Sequence, residues 1–180
     1  MKKELLHLIS IVVLCTIGIN LAFPMPAKAA GTVGNGDPMS CTESALDAAL
    51  TGGGLVNFNC GLSQVTIAIT NQKIISANTT IDGGNLITLD GGNTTRLFTV
   101  NAGSILNIKA LSLTGGSASQ GGAIYNDGTV IMQDGLLSNS YAPGGTAGGI
   151  YNNGTLTISH SILSGTAASS GQDEATVKSL

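Results

Sequence analysis

The chain has 180 residues, a formal charge of −3, no tryptophan, 26 glycines and only 9% charged residues. That length suffices for one domain, and its few dispersed cations exclude nucleic acid, which clustered Lys and Arg must hold. Glycine and low charge would suit a disordered segment, but the β-branched residues are too frequent and too regularly placed for one.

Residues 1–29 read as a signal peptide. Lys2 and Lys3 provide a positive start, Leu5 to Phe23 is an almost unbroken apolar run, and Ala27-Lys28-Ala29 offers small residues for cleavage after Ala29. A retained anchor is the rival, since the run is nearly long enough to span a bilayer. Gly18, Asn20, Pro24 and Pro26 favour removal, and Leu14 before Cys15 argues against a lipoprotein site. The mature chain is then expected to be secreted or at the cell surface, without a stable membrane span. It keeps Lys73, Arg96, Lys109 and Lys178 against nine acids, a formal charge of −5.

Residues 30–60 read as an N-terminal cap and first strand. Thr42 is a candidate N-cap for a short helix ending at Leu50, with Ala45, Leu46, Ala49 and Leu50 as its apolar stripe. Leu55 to Phe58 is the strand. Cys41 and Cys60 are the mature cysteines, and in an oxidising compartment such a pair forms a disulfide. Closing a loop of about twenty residues is worth roughly 3 kcal/mol in the chain-entropy model. The alternative, a metal site, needs more ligands, and His160 is far along the chain.

Residues 61–168 read as an array. Val65 to Ile69 is a strand, and Thr80-Ile81-Asp82-Gly83-Gly84-Asn85 and Leu89-Asp90-Gly91-Gly92-Asn93 are strand-to-turn units. The run Gly122 to Met132 is echoed by Gly149 to Ile158, with Tyr125 and Tyr151 26 residues apart. Upstream, Leu106 and Ile108 precede Val130 and Met132 by 24. Several short alternating strands per unit, with no helix between them, exclude βαβ crossovers and helical repeats. The remaining solution is an all-β fold, a short right-handed parallel β-helix (solenoid) with an N-terminal helical cap. Neighbouring coils would rise about 4.8 Å. The expected inward columns are Leu106–Val130–Leu156, Ile108–Met132–Ile158 and Leu113–Leu137–Leu163. Residues 169–180 follow no repeat pattern and read as an irregular tail, as a truncated product or a fragment of a longer surface protein would show.

Gly121-Gly122-Ala123-Ile124 followed by Leu136-x-x-Asn139 resembles the paired GGAI and FxxN motifs of polymorphic outer-membrane protein repeats, with Leu in place of Phe. The second copy, Gly148-Gly149-Ile150 and Ile162-x-x-Gly165, departs further. From Cys41 to Gly165 the chain is similar to bacterial secreted right-handed β-helix proteins of pectate-lyase-like fold, most clearly at Val56 to Cys60, Thr79 to Gly84 and Gly154 to Ile158. The resemblance implies the fold. It implies little about activity, because these are turn and stacking residues.

A polysaccharide lyase on this fold would need acidic residues around Ca²⁺ and a basic proton acceptor. Asp82 and Asp90 are the best metal candidates and Arg96 the available base. The competing reading, which weighs more, is that Asp before Gly-Gly shapes a turn. A glycosidase needs two spaced carboxylates, and Asp127 with Asp134 meets that requirement only by count. The NTD, DD, GHG and RIK motifs of polygalacturonase-like members are absent. His160 stands where Ala110 and Asp134 stand in other copies and is expected at an outward strand position. Tyr125 and Tyr151 form either an outward aromatic ladder or stacked fillers. Asn101, Asn126 and Asn152, spaced 25 and 26 apart with Gly103, Gly128 and Gly154 two residues on, are expected to stack as a hydrogen-bonded amide ladder. The alternative is that they adopt left-handed turns and point into water. The reading favoured is a non-catalytic secreted or surface protein, adhesive or structural, without a cofactor. A host or cell-surface polysaccharide or protein would be its partner. The alternative is a pectate-lyase-like enzyme, with Ca²⁺, or a carbohydrate-binding module.

Overall fold

A computed structural model describes residues 31–168. The expected signal peptide and irregular tail lie outside the described residues. Strand β1 (Gly31–Val33) leads through a 3-10 turn at Pro38–Ser40 to helix α1 (Glu43–Leu50). The chain then winds in coils: β2 (Gly54–Phe58), β3 (Val65–Ala68) and β4 (Lys73–Ile75), followed by β5 (Thr79–Asp82), β6 (Ile87–Asp90) and β7 (Phe98–Val100). Next come β8 (Ile105–Lys109), β9 (Ser112–Thr114) and β10 (Ile124–Asn126), then β11 (Thr129–Gln133), β12 (Leu136–Ser138), β13 (Tyr141–Ala142) and β14 (Ile150–Asn152). The last described coil holds β15 (Thr155–Ser159), β16 (Ile162–Ser164) and β17 (Ala167–Ala168).

Every pairing between these strands is parallel, and each strand lies on its counterpart one coil away. Face A is β1-β2-β5-β8-β11-β15, face B is β3-β6-β9-β12-β16 and face C is β4-β7-β10-β14, with β13 and β17 forming a small fourth sheet. The molecule is therefore an all-β parallel solenoid with a small helix near its N-terminus.

The side-chain period of two turns alternate residues inward, and parallel stacking places like on like. Val56, Ile81, Ile108, Met132 and Ile158 make one inward column. Leu106, Val130 and Leu156 make a second, and Ile67, Leu89, Leu113, Leu137 and Leu163 a third. All three expected columns are present in their expected register. Each buried Leu or Ile is worth about 1.5–3 kcal/mol, so the columns supply the bulk of the stabilisation.

The N-terminal coil is closed by α1. Thr42 caps it, its Oγ1 accepting from the Ala45 N–H at 3.2 Å, and Leu46 and Ala49 are buried while Ala45 and Leu50 pack against the core. The Cys41–Cys60 disulfide, with a Cα–Cα distance of 5.8 Å, ties the start of the helix to the end of β2. A second tie is electrostatic. Lys73 occupies an inward position beneath Phe98, Ile124 and Ile150, and its side chain is 4% exposed. Glu43 and Asp47, one turn apart on α1, meet it at 2.6 and 2.7 Å. Glu43 also accepts from the Thr70 N–H and hydroxyl and from the Asn71 N–H. Burial pushes the Glu43 carboxyl up, but these donors, Lys73 foremost, outweigh it and hold the group at about 2, against an ordinary 4.5.

Solenoid stability is close to a sum over neighbouring coils, so damage at the cap stays at the cap. Cys41→Ser should raise hydrogen-exchange rates in β1, α1 and β2 while β8 to β12 remain protected; uniform loss of protection along the array would contradict this. Thiol titration of the unreduced mature protein should find no reactive cysteine.

Glu43 has its pKa depressed on folding, so its contribution is complete above about 4.5 and is lost as pH falls through about 2. Glu43→Gln should therefore destabilise the protein at pH 7 by about 1–3 kcal/mol, with the gap to the parent closing by pH 2. Urea midpoints of the two proteins at pH 7, 4.5 and 2 measure this. A gap independent of pH would exclude the carboxylate as its source.

Candidate functional site

The corners of the coil decide what the acidic residues can do. Asp82 ends β5 on face A and Asp90 ends β6 on face B, so the A-to-B corner and the length of β6, roughly 13 Å for four extended residues, lie between them along the chain. Each accepts a hydrogen bond from the backbone two residues on, Asp82 from Gly84 N–H at 3.1 Å and Asp90 from Gly92 N–H at 2.9 Å. These are Asx turns. The expected calcium pair is thus divided between two corners, and among the described residues no group of three or more His, Cys, Asp or Glu could hold a metal ion. A cavity of about 190 Å³ beside Asp82 is lined by Phe58, the bonded Cys60 and Ile87, with Asp82 its sole titratable group. The Lys109 ammonium lies 3.5 Å from Asp82 Oδ2, a partly exposed ion pair beside it. Asp127 and Asp134 flank the five-residue β11, on the order of 20 Å apart along the chain and well beyond the spacing of glycosidase carboxylates.

His160 is not on a strand. It is exposed, has φ 49°, and shares the corner position of Ala110 (φ 47°) and Asp134 (φ 52°). A single left-handed residue turns the chain from face A to face B there. The next corner repeats the device with Gly115, Asn139 and Gly165, all at positive φ. This explains why Asn and Gly exchange in the motif read from the sequence: both tolerate that conformation.

Arg96 faces none of the acids. Its Nε donates to the Gly121 carbonyl at 3.1 Å and its Nη2 to that of Gln120 at 2.8 Å, while Nη1 reaches Gln72 Oε1 and Thr99 Oγ1 at 3.2 Å. The guanidinium also lies over the Tyr125 ring, 5.2 Å from its centroid. Burial lowers its pKa and the phenol of Tyr125 partly restores it. Arg96 is a structural tie between successive coils, with four hydrogen bonds from its three nitrogens.

The outward residues of face C form one column, Ile74–Thr99–Tyr125–Tyr151. The two tyrosines stack at 5.3 Å with their planes 15° apart, and Asn153 Nδ2 donates to Tyr125 Oη at 3.2 Å and Asp127 Oδ1 at 3.0 Å. Tyr125 and Tyr151 thus line an outer face that also carries the exposed Ile74. At its N-terminal end a groove of about 450 Å³ separates β4 from the last turn of α1. Neither the Lys73 cluster nor this groove was marked by any motif. The signal available was a lysine at an inward-facing position of a strand.

Behind that face lies the amide column. Asn126 Nδ2 donates to Asn152 Oδ1 at 2.6 Å and to the Thr155 carbonyl at 2.9 Å, and its own Oδ1 accepts from Gly128 N–H at 3.0 Å. Both side chains are buried. Asn101 does not join them. Val100 is the residue stacked beneath Asn126, a coil spacing of 26 rather than 25, and a shift of one residue turns a side chain from core to solvent. Asn101 is exposed at the corner.

These features define a parallel β-solenoid with one aromatic outer face and a groove beneath its cap. No family model matches the chain, and no curated protein or solved structure is significantly similar to it. The likeness to pectate-lyase-like proteins and polymorphic outer-membrane repeats accordingly rests on the motif residues alone.

Asn126→Ala removes the buried link and strands its partners, so it should cost about 1–3 kcal/mol, read from denaturant unfolding. Asn101→Ala, on the surface, should change stability by less than about 0.5 kcal/mol. Equal costs would refute the register assigned to this corner.

Proposed function

We propose that this chain is a non-catalytic secreted or cell-surface solenoid that acts by adhesion, presenting face C to a polysaccharide or protein partner. The observation that carries this reading is the commitment of its charged groups. Arg96 is spent on coil-to-coil carbonyls, Asp82 and Asp90 on Asx turns, and Lys73 on the cap. The Cys41–Cys60 disulfide suits an oxidising, extracellular setting, and among the described residues no helix is long and apolar enough to cross a membrane. The motif likeness to secreted β-helix proteins points the same way.

A second reading is a carbohydrate-binding module. The stacked Tyr125 and Tyr151 favour it, with Asn153 and Asp127 beside them as hydrogen-bonding groups for sugar hydroxyls.

Both readings expect no chemistry on the polymer. Incubating the mature protein with uronate polymers and Ca²⁺ should give no rise in unsaturated product, and a rise abolished by Asp82→Asn or Arg96→Lys would overturn the non-catalytic proposal.

A further inference from the structure

Face C begins later than face A. Its first strand is β4, and among the described residues no strand pairs with the edge of β4 away from β7. Counting back one coil of 25 residues from β4 reaches residues 48–50, which are helical in α1 rather than extended. The free edge has its own hydrogen-bonding groups. Lys73 N–H donates to the Leu97 carbonyl at 2.8 Å and the Ile75 carbonyl accepts from Asn101 N–H at 3.0 Å, so residues 73 and 75 serve the ladder with β7. Peptide groups alternate in direction along a strand. Those of Ile74 therefore face the other way, into the groove, and among the described residues no backbone group of α1 bonds to them.

The groove itself has a definite character. On the strand side it is bounded by Gln72, Lys73 and Ile74, on the helix side by Asp47, Leu50 and Thr51. Ile74 is 59% exposed and, with Leu50, gives it apolar walls. Its charge is set by one buried ammonium between two carboxylates, a net of −1. Glu43 is turned toward Lys73 and the 70–71 amides, whereas the Asp47 side chain is 51% exposed. Asp47 is thus the carboxylate available to a visitor.

We propose that this groove receives an extended peptide of a partner protein, which adds to face C as a strand beside β4 and sets a basic side chain against Asp47. Main-chain bonds to Ile74 supply affinity, as in strand addition generally, and the charge and apolar walls supply selectivity. The proposal rests on the adhesive reading and gives it a protein partner, but it is decided by a separate measurement. Lyase activity would overturn the non-catalytic reading and leave the groove untouched, whereas failure to bind peptide overturns only the groove.

The test titrates the whole mature protein with a capped Thr-Val-Lys-Val-Thr peptide, following backbone amide shifts by NMR. Two control peptides carry Glu for Lys or N-methylated backbone amides. The expected result is saturable binding with shifts centred on residues 47–52 and 72–76, lost on N-methylation. Glu for Lys in the peptide, or Asp47→Asn in the protein, should weaken binding by about fivefold, the scale of a half-exposed ion pair. Thr51→Trp, which fills the groove from the helix side, should abolish it without loss of the folded spectrum. No binding at millimolar peptide overturns the proposal, as does equal binding of all three peptides. Shifts at the same amides from a neutral oligosaccharide alone, or from self-association on concentration, would assign the groove to another occupant and also overturn it.

Discussion

The structure depends on one constraint: each coil must lie on the previous one in parallel register, so that every inward side chain is covered by the residue above and the residue below. Dispersion and burial reward identical shapes stacked at strand spacing, and the inward columns of Leu, Ile, Val and Met follow. The same geometry governs polar residues. An asparagine can enter a column where its amide meets another amide, as Asn126 meets Asn152. A lysine can enter only where carboxylates are within reach, and Lys73 does so in the first coil with a strand on face C, beside the helix that brings Glu43 and Asp47.

Corners impose the second demand. To change direction within one or two residues the chain needs left-handed backbone or a side chain that bonds its own loop, and Asp, Asn and Gly provide both. These are also residues that catalysis and metal binding use. In this chain the turn role absorbs Asp82 and Asp90, while the tie between coils absorbs Arg96, so the acidic and basic groups that suggest an enzyme in the primary structure are spread around the perimeter.

How much of this was legible before the fold was known follows from the same two demands. The columns through Leu106, Ile108 and Leu113 could be read because strand alternation survives intact across coils of 24 and 26 residues. Asn101 could not be placed, since one residue of difference in coil length reverses inside and outside. His160 looked like a strand residue because a left-handed histidine leaves no compositional trace. Strand β1 is only three residues long and pairs with β2 across the whole cap, so no local pattern announces it. The groove was invisible for a different reason: a free strand edge is a property of topology, and no residue type encodes it.

The two coils from Ile124 and Ile150 keep the same 26-residue register on every face, β10 on β14, β11 on β15, β12 on β16 and β13 on β17. The two units share Ile-Tyr-Asn-x-Gly-Thr and a Leu-Ser pair at the same offsets, and each is also a complete structural turn. Gain of one such segment would keep the inward columns and the corners in phase, whereas loss of either copy would remove one partner of the Asn126–Asn152 amide link; the disulfide and the ion-paired cap lie several coils away. Insertion of one such segment would lengthen the protein by about one strand spacing along its axis, roughly 4.8 Å, a change that a fold with long-range closure could not tolerate.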